Sequence, residues 1–252
     1  MEKSHIQAYR KASGIDKKGS EPSSGTRMFA KMFGERRHET KIRVEAADPE
    51  EGTIYLYDAI GEWYGINAKD FVQELMAMTQ PTIHMRINSP GGDVFDARAI
   101  QAAIRTHSSK IIAHIDGIAA SAASFVALSA KEVEMSRGAF LMIHDAHAIC
   151  MGDCNEMRAM ADTLDKVDKS IAADYMAKTG IDRKQIQAMM DEETWLDCDD
   201  ALKKGFIDRV FEGQKTENRF DLSVYGKVPK ILRSTYNHED RERRLKLIEL
   251  GC

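Results

Sequence analysis

Cysteine is scarce in this sequence, and long apolar runs are missing. Four cysteines in 252 residues are too few for a disulfide scaffold and favour a reducing compartment. No apolar run approaches the roughly 20 residues that a membrane-spanning helix needs. The polar first residues also lack the apolar centre of a secretory signal. We therefore expect a soluble protein of the cytoplasm that has no membrane partner.

A strong charge of either sign is also missing. The 36 basic and 40 acidic residues leave a net charge of −4, which gives no overall signature of nucleic-acid binding. The rest of the composition is ordinary, with 43% hydrophobic and 30% charged residues, and a chain of this length can bury a full core. These values favour a globular protein with no nucleic-acid partner.

The polarity of the sequence divides the chain into three parts. Residues 1–40 are polar and mildly basic without sustained periodicity, which predicts a flexible N-terminal arm. Residues 41–212 carry the globular pattern. Residues 213–252 turn polar again, which predicts a C-terminal tail with a short helix in RERRLKLIEL. We therefore expect the chemistry to lie in residues 41–212.

Strand and helix patterns alternate within residues 41–212. Apolar runs and alternating polarity predict strands in KIRVEA, TIYLYDAI, TIHMRIN (82–88), KIIAHID (110–116) and FLMIH (140–144). Helical periodicity is found at 69–78, from the turn at 89–93 to about 106, at 155–178 and at 182–190. ALKKGFIDRVF predicts a last helix and strand. The alternation indicates an α/β domain.

One serine lies where acyl transfer would need a nucleophile. In GIAASAAS (117–124) we expect a strand to end, a glycine to turn the chain, and a helix to begin at Ser121. A serine at a helix start has an exposed hydroxyl and free backbone N–H groups around it, which suit an oxyanion. A serine is also a usual helix N-cap, so this segment alone leaves both roles open.

Two further segments could complete such a site, INSPGGD (87–93) and MIH (142–144). Adjacent glycines let the backbone approach a ligand closely, although a simple tight turn uses the same residues. His144 ends an apolar strand, where it either faces a cleft or is an ordinary structural histidine. With His147, Cys150 and Cys154 it also has residue types of a zinc site at short spacing. We expect a loop there, because the segment follows a strand.

The segments INSPGG, GIAASAAS, FLMIH and ALKKGFID together resemble, in order and approximate spacing, the proteolytic subunit of the Clp protease, over roughly residues 53–211. The longer segments RINSPGGDVFD, GIAASAAS and MMDEETWL (189–196) are similar to those of Clp-related proteases of phage head-morphogenesis modules. The resemblance implies the Clp protease/crotonase-like α/β spiral of strand-strand-helix units. It also implies a serine endopeptidase that hydrolyses peptide bonds through an acyl-enzyme.

The resemblance assigns a role to each matching residue. Ser121 matches the family nucleophile and His144 its general base, while the backbone N–H groups of Gly92 and Ala122 match the oxyanion hole. Aligning ALKKGFID on the closing segment of the family places Glu193 where the family has an aspartate. Asp191 lies two residues away and is the alternative. We favour Glu193, and a glutamate can orient an imidazole as an aspartate does.

The resemblance also implies partners. It implies no metal and no organic cofactor, and a homo-oligomeric ring that works with or without an unfoldase. The resemblance to phage proteases implies capsid or scaffold proteins as substrates, in the cytoplasm of a bacterial host.

Three alternatives stay open on the sequence alone. The first is a non-catalytic assembly protein on the same fold, against which the presence of Ser121, His144 and Gly92 argues. The second is an acyl-CoA enzyme of the crotonase type, which needs oxyanion N–H groups but no serine–histidine pair. The third is a serine–lysine dyad, for which Lys131 is the nearest lysine after the serine.

Overall fold

Strands and helices alternate along the chain in a computed structural model that describes residues 42–62, 65–212, 220 and 222–232. The predicted α/β class is therefore confirmed. The strands are β1 (Val44–Glu45), β2 (Glu51–Leu56), β3 (Thr82–Ser89), β4 (Lys110–Ala120), β5 (Glu132–Ser136), β6 (Phe140–Ile143), β7 (Thr194–Leu196) and β8 (Arg209–Phe211). The helices are α1 (Ala68–Ala77), α2 (Val94–Thr106), α3 (Ala122–Ala127), α4 (Cys154–Thr179), α5 (Arg183–Asp191) and α6 (Cys198–Lys203).

A mostly parallel sheet forms the centre of the fold. Its strand order is β1-β2-β3-β4-β5-β8, with β1 antiparallel to β2 and the other neighbours parallel. The predicted alternation of β3 is present, since Ile83, Met85 and Ile87 are fully buried. Arg86, on the other face of the strand, donates to Asp116. This sheet fixes the ends of β3 and β4 beside each other, and the candidate site lies there.

Strand β4 is shared between two neighbours, and this sharing positions the site. Its first half pairs with β5, whereas residues 118–120 pair in parallel with β6, so that Ala120 lies opposite Met142. We predicted that the strand would end before Gly117, and this is wrong, because the chain stays extended through Ala120. The longer strand brings the residues that follow β4 and β6 together.

Helix α4 is longer and more exposed than its sequence pattern predicts. A capping box between Asp153 and Glu156 begins the helix, and Gly180 in the left-handed conformation ends it. Buried positions occur only in its second half, at Ile171, Ala172 and Tyr175. Met157, in the first half of the helix, is 44% exposed. The first half of α4 therefore projects away from the core.

The described residues near the C-terminus differ from the polar tail predicted for 213–252. Leu222, Tyr225 and Val228 are buried in a second hydrophobic cluster with Ile118 and Met142. Burial of three apolar side chains against β4 and β6 holds this segment on the domain. The N-terminal arm (1–40) and the helix expected in RERRLKLIEL lie outside the described residues.

No helix in the described parts of the chain is long and apolar enough to cross a membrane.

Candidate active site

Ser121 lies at a sharp turn between β4 and α3. Its backbone angles are φ 52° and ψ −125°, a conformation that costs a non-glycine residue about 1–3 kcal/mol and is found most often at functional sites. The Ser121 N–H donates to the Met142 carbonyl oxygen at 3.0 Å, which ties the turn to β6. Its side chain makes no capping hydrogen bond to α3. The N-cap interpretation therefore fails, and the hydroxyl is available for chemistry.

Two buried hydroxyl groups support this turn from within the core. The Ser124 Oγ donates to the Ser121 carbonyl oxygen at 2.6 Å and lies 2.7 Å from the Tyr175 Oη. Burial raises the pKa of the Tyr175 phenol, so it stays protonated. This chain of contacts holds the strained backbone of Ser121 in place from α4.

His144 follows β6 and reaches the serine. Its Nε2 lies 2.7 Å from the Ser121 Oγ. The pKa of His144 is lowered to about 4, mainly by burial and next by the nearby His147, while Glu193 opposes these effects. The imidazole is therefore neutral at pH 7, and a neutral Nε2 can accept the serine proton.

The loop after β3 lies directly against the Ser121 turn. Gly91 has φ 92°, and a Cβ built on it would be 2.5 Å from the Ala120 carbonyl oxygen and 2.9 Å from the Ala122 nitrogen. A Cβ on Gly92, with φ 149°, would be 2.0 Å from the carbonyl oxygen of Ile60. Only glycine fits at both positions. The loop therefore lies beside Ala122, the other residue that the sequence predicts as an oxyanion donor.

Glu193 lies near His144, but its carboxylate is bonded elsewhere. It accepts hydrogen bonds from the Trp195 Nε1 at 3.0 Å and from the backbone N–H groups of Gly226 and Lys227, both at 2.7 Å. Partial burial raises the pKa of Glu193, and these hydrogen bonds outweigh it, so that the pKa lies below its usual value. The His144 Nδ1 is buried and has no hydrogen-bond partner among the described residues. The bond from Nδ1 that a third triad member would accept is thus not formed in this conformation.

Asp191, the alternative third residue, lies in a group of carboxylates. It accepts a hydrogen bond from the Gln187 Nε2 at 2.8 Å, and the same nitrogen donates to Asp145 at 3.2 Å. The pKa of Asp145 is raised to about 6, mainly by burial and also by the negative charges of Asp168 and Asp191. Like Glu193, Asp191 forms no bond with the His144 Nδ1 in this structure.

The residue types of a zinc site after β6 are not arranged as one. Cys150 donates weakly to the Glu156 carbonyl oxygen, and the ring of His147 lies edge-on to that of His144, with 4.7 Å between centroids. Within the ranges that the structure describes, no group of three or more His, Cys, Asp or Glu residues could hold a metal ion.

Comparison with known proteins agrees with this geometry. The family model for Clp protease matches residues 38–214. This chain belongs to the Clp protease family. The ATP-dependent Clp protease proteolytic subunit 1 of Protochlamydia amoebophila is 27% identical over 176 residues, which are 67% of this chain and 84% of that protein. Subunit 2 of Treponema pallidum is 29% identical over 150 residues, 59% of this chain and 75% of that protein. Subunit 1 of Chlamydia muridarum is 26% identical over 183 residues, 70% of this chain and 95% of that protein.

Beyond the part that matches the Clp protease family, a C-terminal segment covers the site. The Tyr225 Oη donates to the Pro90 carbonyl oxygen at 2.6 Å, one residue before the glycine that lies against the Ser121 turn. Its ring centroid lies 5.3 Å from that of His144 and 6.0 Å from that of Trp195. Tyr225 therefore contacts His144 and the loop that lies beside Ser121.

Sequence analysis missed Tyr225 and the partners of Glu193. A weak signal was present, because Leu222, Tyr225 and Val228 recur at every third position. The segment has too few apolar residues to form a core alone, and the surface that covers it comes from distant strands. The interpretation of a solvated tail followed from composition alone.

Proposed function

We propose that this Clp protease family member is a serine endopeptidase. The observation that carries the proposal is the 2.7 Å contact between the Ser121 Oγ and the Nε2 of a neutral, buried His144. The nucleophile and its base lie within hydrogen-bond reach on a strained turn. Neither a crotonase-type enzyme nor a serine–lysine dyad uses this pair.

The reaction follows from these contacts. The Ser121 Oγ bonds to the carbonyl carbon of the scissile peptide while the His144 Nε2 takes the hydroxyl proton. The carbonyl oxygen becomes an oxyanion, which accepts hydrogen bonds from the N–H groups of Gly92 and Ala122. The C–N bond then breaks as Nε2 returns the proton to the leaving amine, and an acyl-enzyme results. Water, deprotonated by the same nitrogen, releases the acyl group as a carboxylic acid and restores the serine.

Glu193 is our proposal for the third triad residue. Its negative charge acts to raise the pKa of His144, and it occupies the position at which the family has an aspartate. An orienting carboxylate accepts the Nδ1–H and stabilises the imidazolium that forms during acylation. To do this, Glu193 must first release the backbone N–H groups of Gly226 and Lys227.

Assembly and location are part of the same proposal. The relatives are named as proteolytic subunits of an ATP-dependent protease, which supports a homo-oligomeric ring in the cytoplasm that acts alone on peptides or with an unfoldase on folded proteins. Mass photometry of the purified chain tests the ring. Hydrolysis of a folded substrate with and without an ATP-driven unfoldase tests the partner.

The substrate proposed is a phage head-assembly protein, either capsid or scaffold. The support is the resemblance of RINSPGGDVFD, GIAASAAS and MMDEETWL to phage Clp-related proteases. Co-expression with the capsid and scaffold genes of the same genome tests it, with cleavage sites mapped by mass spectrometry. Intact capsid and scaffold proteins in the presence of active enzyme would contradict it.

The enzymatic proposal is tested with Ser121→Ala. We expect hydrolysis of casein by the parent protein to fall by orders of magnitude in the variant, because loss of the nucleophile leaves only binding and oxyanion stabilisation. Both proteins should have the same circular dichroism spectrum. Full casein cleavage by Ser121→Ala would refute the assignment of Ser121 as the nucleophile.

A further inference from the structure

Residues 222–228, here called the C-terminal plug, pack beside the catalytic pair. Leu222, Tyr225 and Val228 are each at most 8% exposed. They pack on Ile118 and Ala120 of β4 and on residues of β6 and β7. Because β4 and β6 lead directly into Ser121 and His144, the plug rests on the two strands that carry the reacting groups.

Tyr225 fills the position that a substrate needs. A scissile carbonyl carbon must come within about 3–3.5 Å of the nucleophile oxygen. The Tyr225 ring lies against that of His144, and its hydroxyl donates to Pro90, the residue before Gly91, on which a Cβ would be 2.8 Å from the Ser121 Cβ. A peptide bound between this loop and His144 would therefore meet the Tyr225 phenol.

The plug also binds the carboxylate of Glu193, the proposed third residue of the triad. Glu193 accepts the N–H groups of Gly226 and Lys227 at 2.7 Å each, while the His144 Nδ1 is buried without a hydrogen-bond partner among the described residues. An unpaired buried nitrogen next to a carboxylate that is bonded elsewhere is unfavourable unless the arrangement is held by other contacts. The burial of Leu222, Tyr225 and Val228 supplies these contacts.

We propose that residues 222–228 are an intramolecular inhibitor, which places Tyr225 at the peptide-binding site beside Ser121 and keeps Glu193 away from His144. The inference rests on the serine protease function proposed above. The plug lies beyond residues 38–214, which match the family model, so the inhibitor is an addition to the shared domain. Displacement of the plug opens the site to a peptide and frees Glu193 to accept the Nδ1–H.

The rate at which a fluorophosphonate labels Ser121 tests the inhibitor in the full-length chain. The reagent forms an Oγ–P bond as fluoride leaves, so its rate reports access to the serine and activation by the histidine. We expect Tyr225→Ala to be labelled at least tenfold faster than the parent. Tyr225→Phe should show a smaller increase, since the ring still fills the space while its hydrogen bond to Pro90 is lost.

Ile231→Ala is the matched control. Its side chain is 82% exposed and lies outside the plug, so labelling at the parent rate is expected. Equal rates for the parent, Tyr225→Ala and Tyr225→Phe would overturn the inhibitor while leaving the protease proposal intact. Absence of labelling in the parent and in folded Tyr225→Ala would instead overturn the protease proposal. If thermal unfolding shows that Tyr225→Ala does not fold, Tyr225→Phe decides, because it keeps the buried ring.

Discussion

The loop after β3, which carries the proposed oxyanion donor Gly92, is sensitive to the addition of a single methyl group. In Gly92→Ala the new Cβ would lie 2.0 Å from the Ile60 carbonyl oxygen. Relief requires the loop to move, which breaks the 2.8 Å hydrogen bonds from the Ile60 N–H to Gly91 and from the Asp93 N–H to Ile60. Each bond contributes about 1 kcal/mol, and the φ of 149° adds strain of about 1–3 kcal/mol. We expect the free energy of unfolding to fall by about 3–5 kcal/mol.

The same movement displaces the Gly92 N–H from the developing oxyanion. Loss of one such donor lowers the rate of acylation by about 10²–10³-fold. The assay is the fluorophosphonate labelling rate, measured with urea unfolding of the same samples. Gly138→Ala is the control, because Gly138 has φ 89° and its new Cβ would meet no atom within 4 Å, so this variant isolates the backbone strain. Labelling of Gly92→Ala at the parent rate would refute the assignment of Gly92 as an oxyanion donor.

Three other predictions concern the catalytic pair and its neighbours. His144→Ala should lower peptide hydrolysis as much as Ser121→Ala, and the double variant should be hardly worse than either, because the two act as a unit; a much larger loss in the double variant would contradict the pairing. In the Tyr225→Ala background, Glu193→Gln should lower single-turnover acylation at least about tenfold, or about 1.4 kcal/mol of barrier, and Asp191→Asn should lower it less. The opposite ranking would move the third role to Asp191. Finally, the pKa of His144 is lowered from 6.5 to about 4 in the folded protein, mainly by burial. Because the unfolded chain then binds the proton more readily, the contribution of His144 to stability is complete above pH 6.5 and is lost as the pH falls towards 4. Tyr225→Ala should raise the pKa of His144 and move the acidic limb of the acylation profile upwards, and an unchanged NMR titration of His144 would refute this.

The proximity of Ser121 and His144 was predictable because each follows a recognisable strand within an ordered set of motifs. The prediction needed no knowledge of the strained φ of Ser121, which no sequence pattern encodes. The α/β class was also predictable from the alternation of strands and helices. The bounds of the strands were not predictable. Strand β4 continues through Gly117 because its last residues pair with β6, a contact that exists only in the folded domain. Strands β5 and β7 are only 5 and 3 residues long, too short to give a clear period.

The partners of Glu193 could not be predicted, for a different reason. The alignment identified the position, but the hydrogen bonds come from Gly226 and Lys227, more than 30 residues later in the chain. Tyr225 is similar, because its burial depends on Met142 and Trp195 in distant strands. Composition describes a segment in isolation, and these contacts exist only in the folded domain. The expectation that residues after 212 are dispensable for chemistry therefore needs a separate test for residues 222–228.

The most direct test of Ser121 as the nucleophile is the site at which a fluorophosphonate modifies the protein. Parent and Tyr225→Ala proteins are treated with the reagent, digested and analysed by mass spectrometry, with Ser121→Ala treated in parallel. We predict a single adduct on Ser121, formed faster in Tyr225→Ala and absent from Ser121→Ala. An adduct on another serine, or no adduct on either of the first two proteins when both are folded, would contradict the proposed chemistry.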